Sequence, residues 1–175
     1  MELEQQLSKE HSRKVTMRIV DWIGSSQSRF DELVRIFLNS EYRTVQRAAW
    51  PLSYCVQRHP VLVKKHLKKI INNLNKPGIH DAVKRNTVRF LQGIDIPKAL
   101  HGEVMDICFR YVSSPEEAVA IKAFSLTVLQ NLAKHYPDII PELKLVIEEQ
   151  MPHATAAFRN RAGKILKSLP ITGNQ

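Results

Sequence analysis

Two cysteines in 175 residues are too few for a disulfide framework, as expected of a chain that stays in a reducing compartment. Cys55 and Cys108 are isolated, and each falls in a helical apolar pattern, which predicts two buried, reduced thiols. No apolar run approaches the roughly 20 residues that a membrane-spanning helix requires. The opening stretch, Met1–Glu10, is polar and carries acids, unlike a secretory signal. A cytoplasmic protein with no membrane partner is the expectation. Runs of alternating apolar and polar residues are absent, as are the Asn-Gly and Asp-Gly pairs that favour tight hairpins. The predicted sheet content is nil.

Catalytic signatures are missing as well. There is no Gly-rich phosphate loop, no Gly-x-Ser-x-Gly and no His-Glu-x-x-His. The histidines at 11, 59, 66, 80, 101, 135 and 153 form no pair three or four apart on one helix, so converging metal ligands are not expected. Glu116-Glu117 and Glu148-Glu149 are adjacent in sequence. Neighbours on a helix diverge by about 100°, which makes each pair surface charge near a helix end. The sequence therefore predicts a non-enzymatic protein with no cofactor, no metal and no catalytic residues.

What the chain does have is repetition. The stretch Glu116–Leu132 is apolar nearly all round, as in a helix buried between neighbours. Ser114 as N-cap, Pro115 at the first helical position and Glu117 closing a capping box would start it. An anchor at Val119, with Ala123 four residues on and Leu126 seven on, recurs three times. The copies are Val45/Ala49/Leu52, Val83/Thr87/Phe90 and Phe158/Ala162/Ile165. Twelve residues before each anchor stands Leu33, Ile71, Ile107 or Val146, and the anchors are 38, 36 and 39 residues apart. A fixed period of this length marks tandem structural units, each unable to bury its apolar side alone.

The units divide one domain over residues 1–175. Residues 1–27 form an N-terminal capping helix, predicted over 3–23 and ended by Gly24 and the serines that follow. The repeats run 28–59, 60–97, 98–135 and 136–170, and 171–175 is a tail. Each repeat carries two helices: 29–39 and 41–58, 61–75 and 80–93, 98–112 and 115–134, then 138–151 and 154–169. Ser28 with Asp31 offers a cap for the first of these, and Pro51 inside the second should kink it.

A helix pair every 36 to 39 residues, with Pro or Gly at the junctions, resembles HEAT-like repeats of the armadillo/HEAT superfamily. The family's second helix carries a valine followed by a basic residue. Here Val45, Val83, Val119 and Phe158 hold the first position, and Arg47, Arg85, Lys122 and Arg161 supply the second. The family's preceding Asp is absent from its usual place; Glu116, and His80 or Asp81, stand nearest. The resemblance implies an all-α, right-handed α-α superhelix of about four helix pairs plus the capping helix, with second helices lining a concave face. It also implies a scaffold or binding surface. Some relatives bind DNA, and one branch removes alkylated bases.

The net charge of +9 is unevenly placed: residues 60–97 carry eight basic and two acidic side chains, or +6. Two cationic features stand out. Arg47, Arg85, Arg89, Lys122 and Arg161 recur on the lining helices and could bind an acidic peptide or a phosphate backbone. Alternatively, their stems pack between repeats while their heads pair locally. Lys64, Lys65, Lys68 and Lys69 form a ridge without acidic partners in its own helix, suited either to an acidic partner or to a solvated outer face. Trp22, Trp50 and Tyr54 are the aromatic candidates, with Asp21 beside Trp22 and Asp81 near Arg85. Packing is the better account of both tryptophans. The expected function is a non-enzymatic interaction module that binds a protein or other anionic partner through a cation-bearing groove. The alternative is a DNA-binding protein related to alkylated-base glycosylases. The oligomeric state is not specified by the sequence.

Overall fold

A computed structural model describes residues 2–170; the tail expected at 171–175 lies outside the described residues. Among these, every regular element is helical. The α-helices are α1 (Leu3–Lys9), α2 (Arg13–Ile23), α3 (Gln27–Asn39), α4 (Tyr42–Arg58) and α5 (Leu67–Asn73). They continue with α6 (Asp81–Leu91), α7 (His101–Ser113), α8 (Val119–Ala133), α9 (Ile140–Gln150) and α10 (Ala156–Ser168). The contacts group into two compact units, residues 1–95 and 96–175.

In the first unit α4 is the hub and packs against α1, α2, α3 and α6. Its buried positions, Ala48, Ala49, Leu52, Cys55 and Val56, recur every three or four residues. That spacing lays an apolar stripe along one side of the helix. Phe30, Leu33, Ile36 and Phe37 of α3 answer it. A fully buried Leu or Phe contributes roughly 1.5–3 kcal/mol. Pro51 is buried within α4, which continues unbroken to Arg58. In the second unit α8 packs against α7 and α10, and α7 against α9. Within each unit, therefore, a repeat's second helix touches both its own first helix and the second helix of a neighbouring repeat. This is the adjacency expected of stacked helix pairs.

The repeat anchors are not equally enclosed. Val83 and Phe158 are 1% and 2% exposed, whereas Val119 is 38% exposed. Val119 differs because α8 starts there and not at Pro115. Residues 115–118 form a turn, Ala118 holds the N-cap position without a side-chain bond, and Ser114 instead ends α7. The capping box of Ser114 and Glu117 is not formed. The first turn of α8 then stands at the edge of the core, and burial shifts to Ile121, Ser125, Leu126 and Leu129.

Other local expectations change in the same way. Two helices replace the single one expected over 3–23: Ser12 adopts an extended backbone and its side chain accepts from Val15 N–H. A serine that caps a new helix competes with continuation of the old one. The cap of α3 is Ser26, not Ser28, and the Gln27 side chain donates to Asp31 at 2.8 Å. The helix expected over 61–75 begins as a 3-10 helix, Pro60–His66, before α5 takes over. Short 3-10 entries also precede α7 and α9.

Candidate functional site

The helices α4 and α6 lie side by side, and each contributes to a shared cleft of about 420 Å³. Trp50 contributes from α4, Arg85 and Arg89 from α6, and His11 from the segment between α1 and α2. His80, Asp81 and buried Asn86 complete the principal lining. Residues four apart on a helix share a side, so Trp50 and Tyr54 form an aromatic column while Arg85 and Arg89 form a cationic one. The two columns meet where the Arg89 guanidinium carbon sits 5.1 Å above the Tyr54 ring. Trp50 and Tyr54 are 6.3 Å apart between ring centroids, and His11 stands 5.6 Å from Trp50.

The local electrostatics are positive. His11 is held below the ordinary histidine pKa, first by desolvation and then by repulsion from Arg47 and Arg85. The Tyr54 hydroxyl is also lowered, chiefly by the neighbouring Arg89 guanidinium, against the opposing effect of burial. Arg85 is exposed and has no hydrogen-bond or ion-pair partner among the described residues. Asp81, the one acid of the lining, stands 3.9 Å from Lys84. His80 caps α6: its Nδ1 accepts from Ala82 N–H at 2.9 Å. That bond leaves Nε2 as the protonated nitrogen of the neutral ring.

The other cations of the expected groove have different surroundings. Arg47 is half-buried and donates to backbone carbonyls at the end of α1. In the second unit Lys122 is 8% exposed and donates to Gln150 Oε1 at 2.7 Å. Burial lowers its pKa, with Glu117 acting in the opposite direction. Lys122 borders a cavity of about 320 Å³ that Val119, Gln150 and Phe158 also line. Arg161 donates to Thr127 Oγ1 at 2.8 Å and sits 5.8 Å from the Phe124 ring centre, beside a separate cavity.

The lysine ridge has an acidic partner that its own helix does not supply. Asp31 of α3 accepts from Lys65 Nζ and from His66 Nε2, each at 2.6 Å. Lys64, Lys68 and Lys69 are exposed. The change from 3-10 to α geometry after His66 breaks the one-turn register expected between Lys64 and Lys68 and between Lys65 and Lys69. Asp21 is held by Arg58 at 2.6 Å, while Trp22 lies under Arg29, whose guanidinium carbon is 4.8 Å from the ring centre. Both tryptophans are half-buried. The sequence singled out Trp50, Tyr54, Asp81, Arg85 and Arg89 as candidates; it offered His80 only as a stand-in for the family's Asp, and His11 not at all. Neither histidine has a helical partner in sequence, and each reaches the cleft from a helix boundary.

Among the described residues, no group of three or more His, Cys, Asp or Glu side chains could hold a metal ion. No helix among them is long and apolar enough to cross a membrane. No curated protein and no solved structure matches the chain. A family model described as a HEAT repeat domain matches residues 3–169. That match spans both compact units and all ten helices, so the chain belongs to the HEAT repeat family and has that family's all-α fold.

Proposed function

We propose that the chain is a non-catalytic interaction module and that the α4/α6 cleft binds an acidic segment of a protein partner. Membership of the HEAT repeat family favours a protein-interaction scaffold, but a fold alone does not fix a function. The observation that carries the reading is Arg85: an exposed guanidinium beside a half-buried tryptophan, in a cleft where desolvation and then Arg47 and Arg85 disfavour protonated His11. An unpaired arginine retains its donors for a carboxylate, and the adjacent ring offers apolar surface that it can share.

The test is a fluorescence titration with a synthetic Glu/Asp-rich peptide, reading tryptophan emission at low and moderate salt. Binding should saturate, weaken with salt, and fall at least about tenfold in Arg85→Glu, as expected for loss of a charge-assisted contact. Lys134→Glu, an exposed change in the other unit, should leave it unaltered. Equal binding by wild type and Arg85→Glu excludes the cleft. Tighter binding of a duplex oligonucleotide than of the peptide overturns the choice of partner.

A further inference from the structure

The dimensions and two-sided chemistry of the same cleft restrict the acidic group more closely; this step rests on the reading of the cleft as a protein-contact surface. A volume of about 420 Å³ suits one side chain and not a helix or a duplex. One wall carries the Trp50 ring and the other the two cations Arg85 and Arg89, while Tyr54 stands next to Trp50 outside the lining. Arg89 is oriented by its stacking on Tyr54, so less side-chain freedom is lost when it engages a ligand. Neutral His80 adds an Nε2–H donor to the same lining.

A carboxylate brings one negative charge and no aromatic ring. Its two oxygens can accept from both guanidiniums, but it leaves the Trp50 ring without a partner. A phosphate monoester carries about −1.5 to −2 charges and three acceptor oxygens at neutral pH, enough for both arginines and the His80 donor. With Arg85 and Arg89 set against Asp81, the lining remains positive before either histidine is protonated. A side chain that uses both walls has to join such a phosphate to an aromatic ring. We propose that the cleft receives a phosphotyrosyl side chain of the partner, its phosphate on Arg85 and Arg89 and its ring against Trp50. Phosphoserine would supply the charge without the ring, and unmodified tyrosine the ring without the charge.

The experiment compares four peptides of one sequence carrying Tyr, phosphotyrosine, phosphoserine or Glu at the central position, with adenosine monophosphate as a non-peptide arm. Isothermal titration should show the phosphotyrosine peptide binding about tenfold or more tightly than each of the other three, the scale of one charge-assisted contact. Arg85→Ala should abolish the advantage over Tyr. Trp50→Phe should reduce the advantage over phosphoserine, with both variants first shown to melt cooperatively. Equal affinity for the phosphotyrosine and Glu peptides overturns this inference and leaves the acidic-segment reading standing. No binding of any peptide overturns both. Tighter binding of adenosine monophosphate than of the phosphotyrosine peptide overturns the assignment to a side chain.

Discussion

The Arg47 guanidinium donates through Nη1 to the carbonyl oxygens of Leu7 at 3.0 Å and Ser8 at 2.5 Å, so a cation of α4 closes the end of α1. The last carbonyls of a helix lack intrahelical partners and carry a partial negative charge. Arg47 satisfies two of them and ties residues 40 and 39 positions apart in sequence. Replacing it with Ala should cost about 1–2 kcal/mol, the lower range for hydrogen bonds to a charged group because the site is only half-buried. Urea denaturation measures that loss. Peptide affinity at the cleft should fall less in Arg47→Ala than in Arg85→Ala. The reverse order, with stability unchanged, would make Arg47 a contact residue and not a helix cap.

Asp31 is a second point where a charge joins elements. Burial alone would raise its pKa, but hydrogen bonds from Lys65, His66 and Gln27 outweigh this and hold it at about 2. Gln27 also donates to the Leu62 carbonyl at 3.0 Å, so the node ties α3 to the 3-10 helix after α4. A carboxylate pKa depressed in the folded state contributes stability above its unfolded value near 4, and the contribution is lost as pH falls toward 2. The carboxylate is 34% exposed, so solvent screening reduces the contribution to about 1 kcal/mol. Asp31→Asn should lower stability by about that amount at pH 7, and the difference from wild type should narrow as pH falls below about 4 and vanish only below the folded pKa of about 2. Denaturant midpoints at about pH 7, 4 and 2.5 provide the comparison; a gap that does not narrow on acidification would assign the effect to packing.

These two nodes show what could be read from the chain. The helix pairs were legible because burial on a helix recurs every three to four residues, and Ala49/Leu52, Thr87/Phe90 and Ala162/Ile165 are buried as that period requires. Local starts were less legible. Ser12 and Ser114 are both competent caps, yet only Ser12 makes the bond, since Ser114 already ends α7. The destinations of the cations were not legible at all. Arg47, Arg85, Lys122 and Arg161 follow the repeat anchors closely in sequence but meet a helix end, an open cleft, a glutamine and a threonine, respectively. Such partners lie 28 to 40 residues away, beyond the reach of spacing within one helix.

The thiols report on the core directly. Burial pushes both Cys55 and Cys108 up to about 12; nearby Arg58 acts against this at Cys55, and Ser125 does so at Cys108. A thiol attacks as its thiolate, so both should be inert to Ellman's reagent in the folded protein at pH 8. Addition of denaturant should release two equivalents, one from each unit. Two separate release midpoints would show that the units unfold independently, and a single midpoint that they unfold together. Rapid native labelling of either thiol would contradict the packing of that unit.

Lys122 tests whether a buried cation is needed for stability. It is 8% exposed and its ammonium donates to a neutral amide, Gln150 Oε1. Desolvation already disfavours the charge. An apolar side chain of similar length removes that penalty, and buried charges replaced in this way often cost nothing. Lys122→Met should leave the thermal midpoint unchanged or raise it. Lys122→Glu, which places an uncompensated charge beside Glu117, should lower stability by about 3 kcal/mol or more. A large loss in Lys122→Met would show that the ammonium is a required anchor.

His11 should make stability and binding respond to acid in opposite directions. Its folded pKa is depressed by desolvation and then by Arg47 and Arg85, and Arg89, Asp81 and His80 also line the cleft that it faces. The unfolded chain therefore takes up the proton first. The stability contributed by neutral His11 is complete above its unfolded pKa near 6.5 and is lost as pH falls through that value toward the lower folded one. A bound anion reverses the local field, because protonated His11 then faces a negative group. Affinity for a Glu-rich peptide should consequently rise between pH 7 and 5.5, where glutamate remains ionised, while the denaturation midpoint falls. His11→Asn removes the proton site without restoring charge, so both slopes should flatten relative to wild type. Thermal melts and fluorescence titrations across this range separate the effects. Parallel slopes in wild type and variant would assign the pH response to groups other than His11.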